Sequence, residues 1–143
     1  TERVIQYAPP NSNLMLVHNT YVDDSMLELL KNKNLLHRIW FCLCPAANLY
    51  IEGKLPDLEL LRQYGCNIVI GTDSLASNHR LSISHEIQII HKHFINIPID
   101  ELLRWATINA ASFFSWKDLG CFISSTKPGV ILLDSSLNPT RLF

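Results

Sequence analysis

The chain has 143 residues, 12 Lys+Arg against 13 Asp+Glu, and 48% hydrophobic residues. A net charge of −1 gives no electrostatic footprint for nucleic acid or an anionic membrane, and 17% charged residues against nearly half apolar is not the balance of a disordered tail. No apolar run approaches the roughly 20 residues that cross a bilayer, so a soluble chain of one-domain length is expected.

Thr1-Glu2-Arg3 has neither the basic nor the apolar region of a signal peptide, and the start reads as internal. After the breaker Pro9-Pro10-Asn11, the apolar run Asn13 to Val17 suits a strand covered on both faces, ending at His18. Asp23-Asp24-Ser25 supplies cap residues for a helix carrying Met26, Leu27, Leu29 and Leu30, with Lys31 and Lys33 at its carboxyl end. Ile39 to Cys44 is a second strand, stopped by Pro45. Pro56-Asp57 opens a helix through Leu58, Leu60, Leu61 and Tyr64, closed by Gly65, and Cys66 to Ile70 is a third strand followed by Gly71-Thr72-Asp73. Ser82 to Phe94, Asp100 to Thr107 and Asn109 to Phe114 read as helices, and the turn Lys127-Pro128-Gly129 leads into a fourth strand, Val130 to Leu133.

Strands alternating with helices through short connections imply an α/β fold with parallel strands and right-handed crossovers, either part of a barrel or an open doubly wound sheet. No GxGxxG or GxxxxGK[ST] follows any strand, which weakens dinucleotide and phosphate-loop readings, including an open flavodoxin-like domain for a phosphorylated ligand. In both architectures chemistry sits at the carboxyl ends of the strands, where this chain has His18, Asn48 in the loop after Cys44, and Asp73. A lone histidine or aspartate there is often a structural bond or a turn cap; the joint placement is the signal. His79, in the loop after Asp73, is a weaker candidate.

His91-Lys92-His93 spells a metal-ligand spacing. It lies in a helical pattern, where residues two apart diverge by about 200°, so the pair is not expected to share one ion. His37 precedes a strand, at the wrong end for a site, and Glu86 reads as a packing or capping residue. The four cysteines form no CxxC pair, which favours a reduced, cytoplasmic setting over a disulfide framework.

Three stretches then stand out in order: LMLVHNTYVDD (Leu14 to Asp24), CLCPAANLYIEGKLPDLELLRQYGCNIVIGTDSLASNHRLSISHEI (Cys42 to Ile87), and LLRWATINAASFF (Leu102 to Phe114) followed by TKPGVILLD. This ordered set resembles the carboxyl-terminal half of the amidohydrolase superfamily, in its cytosine deaminase-like, chlorohydrolase and guanine deaminase branch. The resemblance implies a (β/α)8 TIM-like barrel whose strands six, seven and eight are the first three strands here. It also implies a barrel portion over residues 1–120 and the start of a small β domain over 121–143. By that resemblance Asp73 matches a metal ligand that takes a proton from the attacking water, His18 a residue that ligates metal or orients the attacked group, and Asn48, Ser77 and Asn78 positions that shape the substrate pocket. It implies a divalent metal, zinc or iron, and hydrolysis at a C–N bond of a heterocycle or amide by metal-activated water.

The chain departs from the family pattern in two ways. Leu43 stands where many relatives have a histidine, and the strand-one HxH and the strand-five histidine have no counterpart. A barrel of this kind needs at least about 200 residues, so the expectation is a carboxyl-terminal fragment, inactive alone and short of metal ligands. The alternative is a non-catalytic α/β interaction module that self-associates through open sheet edges; a homo-oligomer is expected in either case.

Overall fold

The protein, in a computed structural model that describes residues 2–9 and 11–142, is an α/β structure that begins with a short helix, α1 (Glu2–Tyr7). Thr1 and Pro10 of the sequence reading lie outside the described residues. Three parallel strands follow, in the spatial order β1 (Leu14–Val17), β2 (Ile39–Leu43) and β3 (Asn67–Ile70). Their register aligns Leu16 with Phe41 and Ile68, and Val17 with Cys42 and Val69. Arg38, immediately before β2, donates from Nε to the Ser12 carbonyl at 2.8 Å and also bonds the Pro9 carbonyl, fastening the chain that enters β1.

The helices are α2 (Asp24–Asn32), α3 (Pro45–Glu52), α4 (Leu58–Gln63), α5 (Ile83–His93), α6 (Ile99–Ala106) and α7 (Ile108–Phe113). Asp23, Asp57 and Ser82 cap α2, α4 and α5 by accepting from the Met26, Leu60 and His85 amides at 2.9, 2.9 and 3.4 Å, each cap contributing about 1 kcal/mol. Gly65, at φ 63, takes the left-handed position after α4 that a side chain would strain.

Helix α3 corrects the sequence reading, which left Asn48 in a loop. Pro45 ends a strand and begins a helix at once: at the first helical position its missing N–H is one the helix would leave unpaired anyway. A late strand, β5 (Pro139–Arg141), also went unread. It pairs antiparallel with β4 (Ile131–Leu133) across a turn in which Asp134 Oδ1 accepts from the Ser136 and Asn138 amides at 2.8 and 2.9 Å. Gln88 Nε2 of α5 donates to the Ser136 carbonyl at 2.7 Å and ties this hairpin to the helical layer.

Because side chains alternate along a strand, the parallel sheet has two unlike faces. Leu16, Ile39, Phe41, Leu43, Ile68 and Ile70 enter the main core with Leu27 and Leu30 of α2, Leu58 and Leu61 of α4, Ile87 and Ile90 of α5, and Leu102 and Trp105 of α6. The opposite face holds a smaller cluster of Cys42, Cys44, Ala47 and Val69, with Met15, Trp40 and Ala110 against it. Among the described residues no helix is long and apolar enough to cross a membrane.

Candidate functional site

The parallel ladder runs one residue beyond the strands: His18 N–H bonds the Cys42 carbonyl at 3.0 Å and Gly71 N–H the Leu43 carbonyl at 2.8 Å. That extension brings His18 and Asp73 to the carboxyl ends of β1 and β3, on either side of β2. Three non-glycine residues here take left-handed backbone, His18 at φ 68, Asn19 at φ 51 and Asp73 at φ 56. The Asn19 N–H and Nδ2 both reach the Val17 carbonyl at 3.0 Å, closing the turn that presents His18. Left-handed backbone costs an L-residue roughly 1–2 kcal/mol and persists where surrounding contacts enforce it.

His18 Nε2 and Asp73 Oδ2 lie 4.0 Å apart, their side chains 34% and 33% exposed. Ser77 Oγ donates to the same Asp73 oxygen at 2.5 Å. Behind them Asn48, on the first turn of α3, is 1% exposed and donates from Nδ2 to Thr20 Oγ1 at 2.5 Å, while its Oδ1 has no partner among the described residues. Asn78 donates from Nδ2 to the Thr72 carbonyl at 2.8 Å and to Glu86 Oε1 at 2.7 Å. Glu86, fully buried, accepts the Ala46 N–H on its other oxygen at 2.8 Å. Burial raises the Glu86 pKa, with the Ala46 and Asn78 donors pulling the other way.

Below the site the Cys42 and Cys44 thiols neighbour each other: Cys44 holds Cys42 below the ordinary thiol range, and Cys42, together with burial and the Asp73 carboxylate, pushes Cys44 far above it. Gly71 fits a tight place here: a Cβ would sit 3.0 Å from Cys42 Sγ, closer than the thiol allows without shifting, and 3.5 Å from Cys44 Sγ.

Of the residues singled out in the sequence, His18, Asp73 and Ser77 converge, and Asn48 and Asn78 lie buried behind them, bonded to the loops that carry the first two. His79 sits at the rim, its ring edge-on to Tyr50 with centroids 6.4 Å apart. His91 is exposed on α5, and His93 turns back to donate from Nδ1 to the Ile89 carbonyl at 2.9 Å. His37 lies in a single 3-10 turn (Leu36–Arg38) at the opposite end of β2. Leu43 is 1% exposed in the main core. Sequence reasoning missed Thr20 and Gly71, and although it read Glu86 as a capping or packing residue, nothing local names Ala46, 40 positions away, as its partner.

Among the described residues no group of three or more His, Cys, Asp or Glu side chains could hold a metal ion. The facing His18 imidazole and Asp73 carboxylate are suitable donors, and 4.0 Å is a span that small side-chain rotations close onto one cation, as two ligands of a larger set.

Residues 1–129 match the sequence profile of a family described as the amidohydrolase family. The chain is 27% identical over 141 residues to a 5'-deoxyadenosine deaminase of Methanopyrus kandleri, covering 90% of this chain and 31% of that protein. It is 36% identical over 127 residues to a 5-methylthioadenosine/S-adenosylhomocysteine deaminase of Caldicellulosiruptor saccharolyticus, covering 83% and 28%. The fold superposes on an adenosine deaminase from Xanthomonas campestris with bound zinc, at TM-score 0.69 and 23% identity over 85% of this chain and 28% of that one. It also superposes on Helicobacter pylori aminofutalosine deaminase in complex with methylthio-coformycin, at TM-score 0.65 and 28% identity over 80% and 28%. The chain therefore spans a little under a third of the length of these relatives.

Proposed function

The chain belongs to the amidohydrolase family, and from that premise we propose that its strands are the sixth to eighth of a (β/α)8 barrel that hydrolytically deaminates a small heterocycle. The substrate class we propose is an adenine nucleoside altered at its 5' position, the kind of compound for which the relatives above are named. We place the start of the small β domain after residue 120. The observation that carries the reading is the convergence of His18 and Asp73, 4.0 Å apart, at the carboxyl ends of two strands flanking a third.

In this reading Asp73 and His18 hold a divalent metal, zinc or iron, which when bound supplies Lewis acidity and makes water a better nucleophile near neutral pH. Asp73 accepts one proton from water as its oxygen bonds to the ring carbon and the ring C=N electron pair moves onto the ring nitrogen, then returns that proton to the departing nitrogen; the exocyclic C–N bond breaks, ammonia leaves, and the remaining hydroxyl proton ends on the ring nitrogen as the carbonyl forms. The Ser77 hydroxyl, bonded to Asp73 Oδ2, fixes the carboxylate plane for that exchange. His18 orients the carbon under attack when it is not a ligand. Asn48, Ser77 and Asn78 shape the pocket by fixing the loops around it.

The test is ammonia release from 5'-deoxyadenosine and 5'-methylthioadenosine by the natural polypeptide that carries these residues. Asp73→Ala should abolish release with the melting temperature nearly unchanged. The 143 residues alone, offering two donors, should bind zinc substoichiometrically and turn nothing over. No ammonia from any aminopurine, with Asp73→Ala altering only stability, would defeat the reading in favour of a non-catalytic module.

A further inference from the structure

The two side chains proposed as the reactive pair sit on different loops, His18 after β1 and Asp73 after β3. What fixes their separation is a buried chain of hydrogen bonds that passes behind the site through α3. From the His18 side, Thr20 Oγ1 accepts from Asn48 Nδ2 on the first turn of α3. At the amino end of the same helix the Ala46 N–H is one of the donors that no helical carbonyl can satisfy, and the cap residue Cys44 makes no side-chain bond to this end. Glu86, reaching across from the first turn of α5, takes that N–H on Oε2 at 2.8 Å. Its Oε1 takes Asn78 Nδ2 at 2.7 Å, and the same nitrogen bonds the carbonyl of Thr72, the residue before Asp73. Thr20, Asn48, Asn78 and Glu86 are 6%, 1%, 8% and 0% exposed, so water does not compete for these bonds.

We propose that Glu86 is a positioning residue: it clamps the amino end of α3 to the Asp73 loop and, through Asn48 and Thr20, sets the distance between Asp73 and His18. The proposal rests on the reading of those two residues as the reactive pair. A carboxylate suits the position chemically. It offers acceptors in two directions, to a backbone N–H and to a side-chain amide, with no hydrogen of its own to conflict, and its charge lies at the positive end of the α3 dipole. Glutamine keeps the size but turns an NH2 toward one of the two donors; alanine removes both bonds.

The experiment compares amide spectra of the 143-residue chain by two-dimensional NMR with steady-state kinetics of the natural polypeptide. Glu86→Ala should shift the amides of residues 72–78 and also those of His18, Asn19 and Thr20, while core amides such as Leu27 and Leu61 stay in place. Glu86→Gln should shift the same set less. In the active protein kcat should fall about ten- to hundredfold with KM little changed, as for other residues that orient a reactive group from behind. Asn48→Ala, which cuts only the Thr20 link, should move the His18 loop without moving residues 72–78, and keeps the test decisive if Glu86→Ala does not fold. Shifts confined to residues 44–47 and 72–78 in the Glu86 variants, or KM rising with kcat unchanged, would overturn the proposal. A wild-type protein without deaminase activity would defeat the functional reading instead, and the pattern of shifts would still decide the coupling.

Discussion

One face of the parallel sheet is a mostly aliphatic core closed by four helices of the chain itself; the other is a shallow cluster of sulfur, aromatic and small residues beneath His18 and Asp73. Neighbouring residues of β2 belong to different worlds: Phe41 is 1% exposed among leucines and isoleucines, while the buried Trp40 indole N–H has no partner among the described residues and the ring leans edge-on against Phe113, centroids 5.8 Å apart. The first face gathers most of the buried apolar side chains, whereas the second, met by α3 and α7, holds the unpartnered indole and the crowded thiols.

The sharpest way to break this contrast is a pair of adjacent truncations. Phe41→Ala should cost about 3–5 kcal/mol, and Cys42→Ala on the order of 1 kcal/mol, in urea unfolding of the 143-residue chain. Equal losses would mean that both faces are load-sharing core. Next in size, Gly71→Ala pushes a methyl group to 3.0 Å from Cys42 Sγ and should cost about 1–3 kcal/mol. The double variant Gly71→Ala/Cys42→Ala should recover most of that loss, a coupling that two independent sites would not show.

A smaller effect concerns protons. Folding raises the Glu86 pKa, so above the ordinary glutamate range the folded state holds a proton that the unfolded chain has released. The stability from this group is therefore complete below that range and declines as pH rises toward the raised value; Glu86→Gln should flatten the decline in unfolding curves taken at successive pH values. The least change is expected at the thiols. Cys66, packed against the main core, is pushed up to about 11 by burial, whereas Cys42 is held low by the Cys44 thiol. Iodoacetamide adducts read by mass spectrometry should appear on Cys42 at lower pH than on Cys66. The reverse order would place the distinction elsewhere than in the two faces.

The helix-covered face was largely legible in the sequence. IWFCLC and CNIVI are strands buried on both faces, as their apolar runs suggest; NLMLV is a strand too, but at the sheet edge, where Val17 is exposed rather than covered, and Asp23, Asp57 and Ser82 announce helices by accepting backbone N–H groups three residues on. Helix α3 escaped because a proline after an apolar run punctuates equally as strand end or helix start, and PAANLYIE lacks the periodic face that would decide it. The hairpin strand β5 escaped because PTR is three exposed residues with no alternation to read. At the site, His18 and Asp73 were visible from their position after strands, a rule of chain order. The Glu86 clamp was not, since its meaning lies in an N–H that folding brings from 40 positions away.

The left-handed backbone at His18 and Asp73 bears on which substitutions the protein tolerates. Asparagine and glycine accept that backbone readily, and β-branched residues resist it. A saturation scan at position 18 scored for folding alone should thus rank Asn and Gly near the native His, with Ile and Val at the bottom, although none of the four can act as an imidazole. Scored for turnover, the same library should collapse to His. The gap between the two rankings would measure, residue by residue, how much of the choice at this position belongs to the shape of the chain and how much to its chemistry.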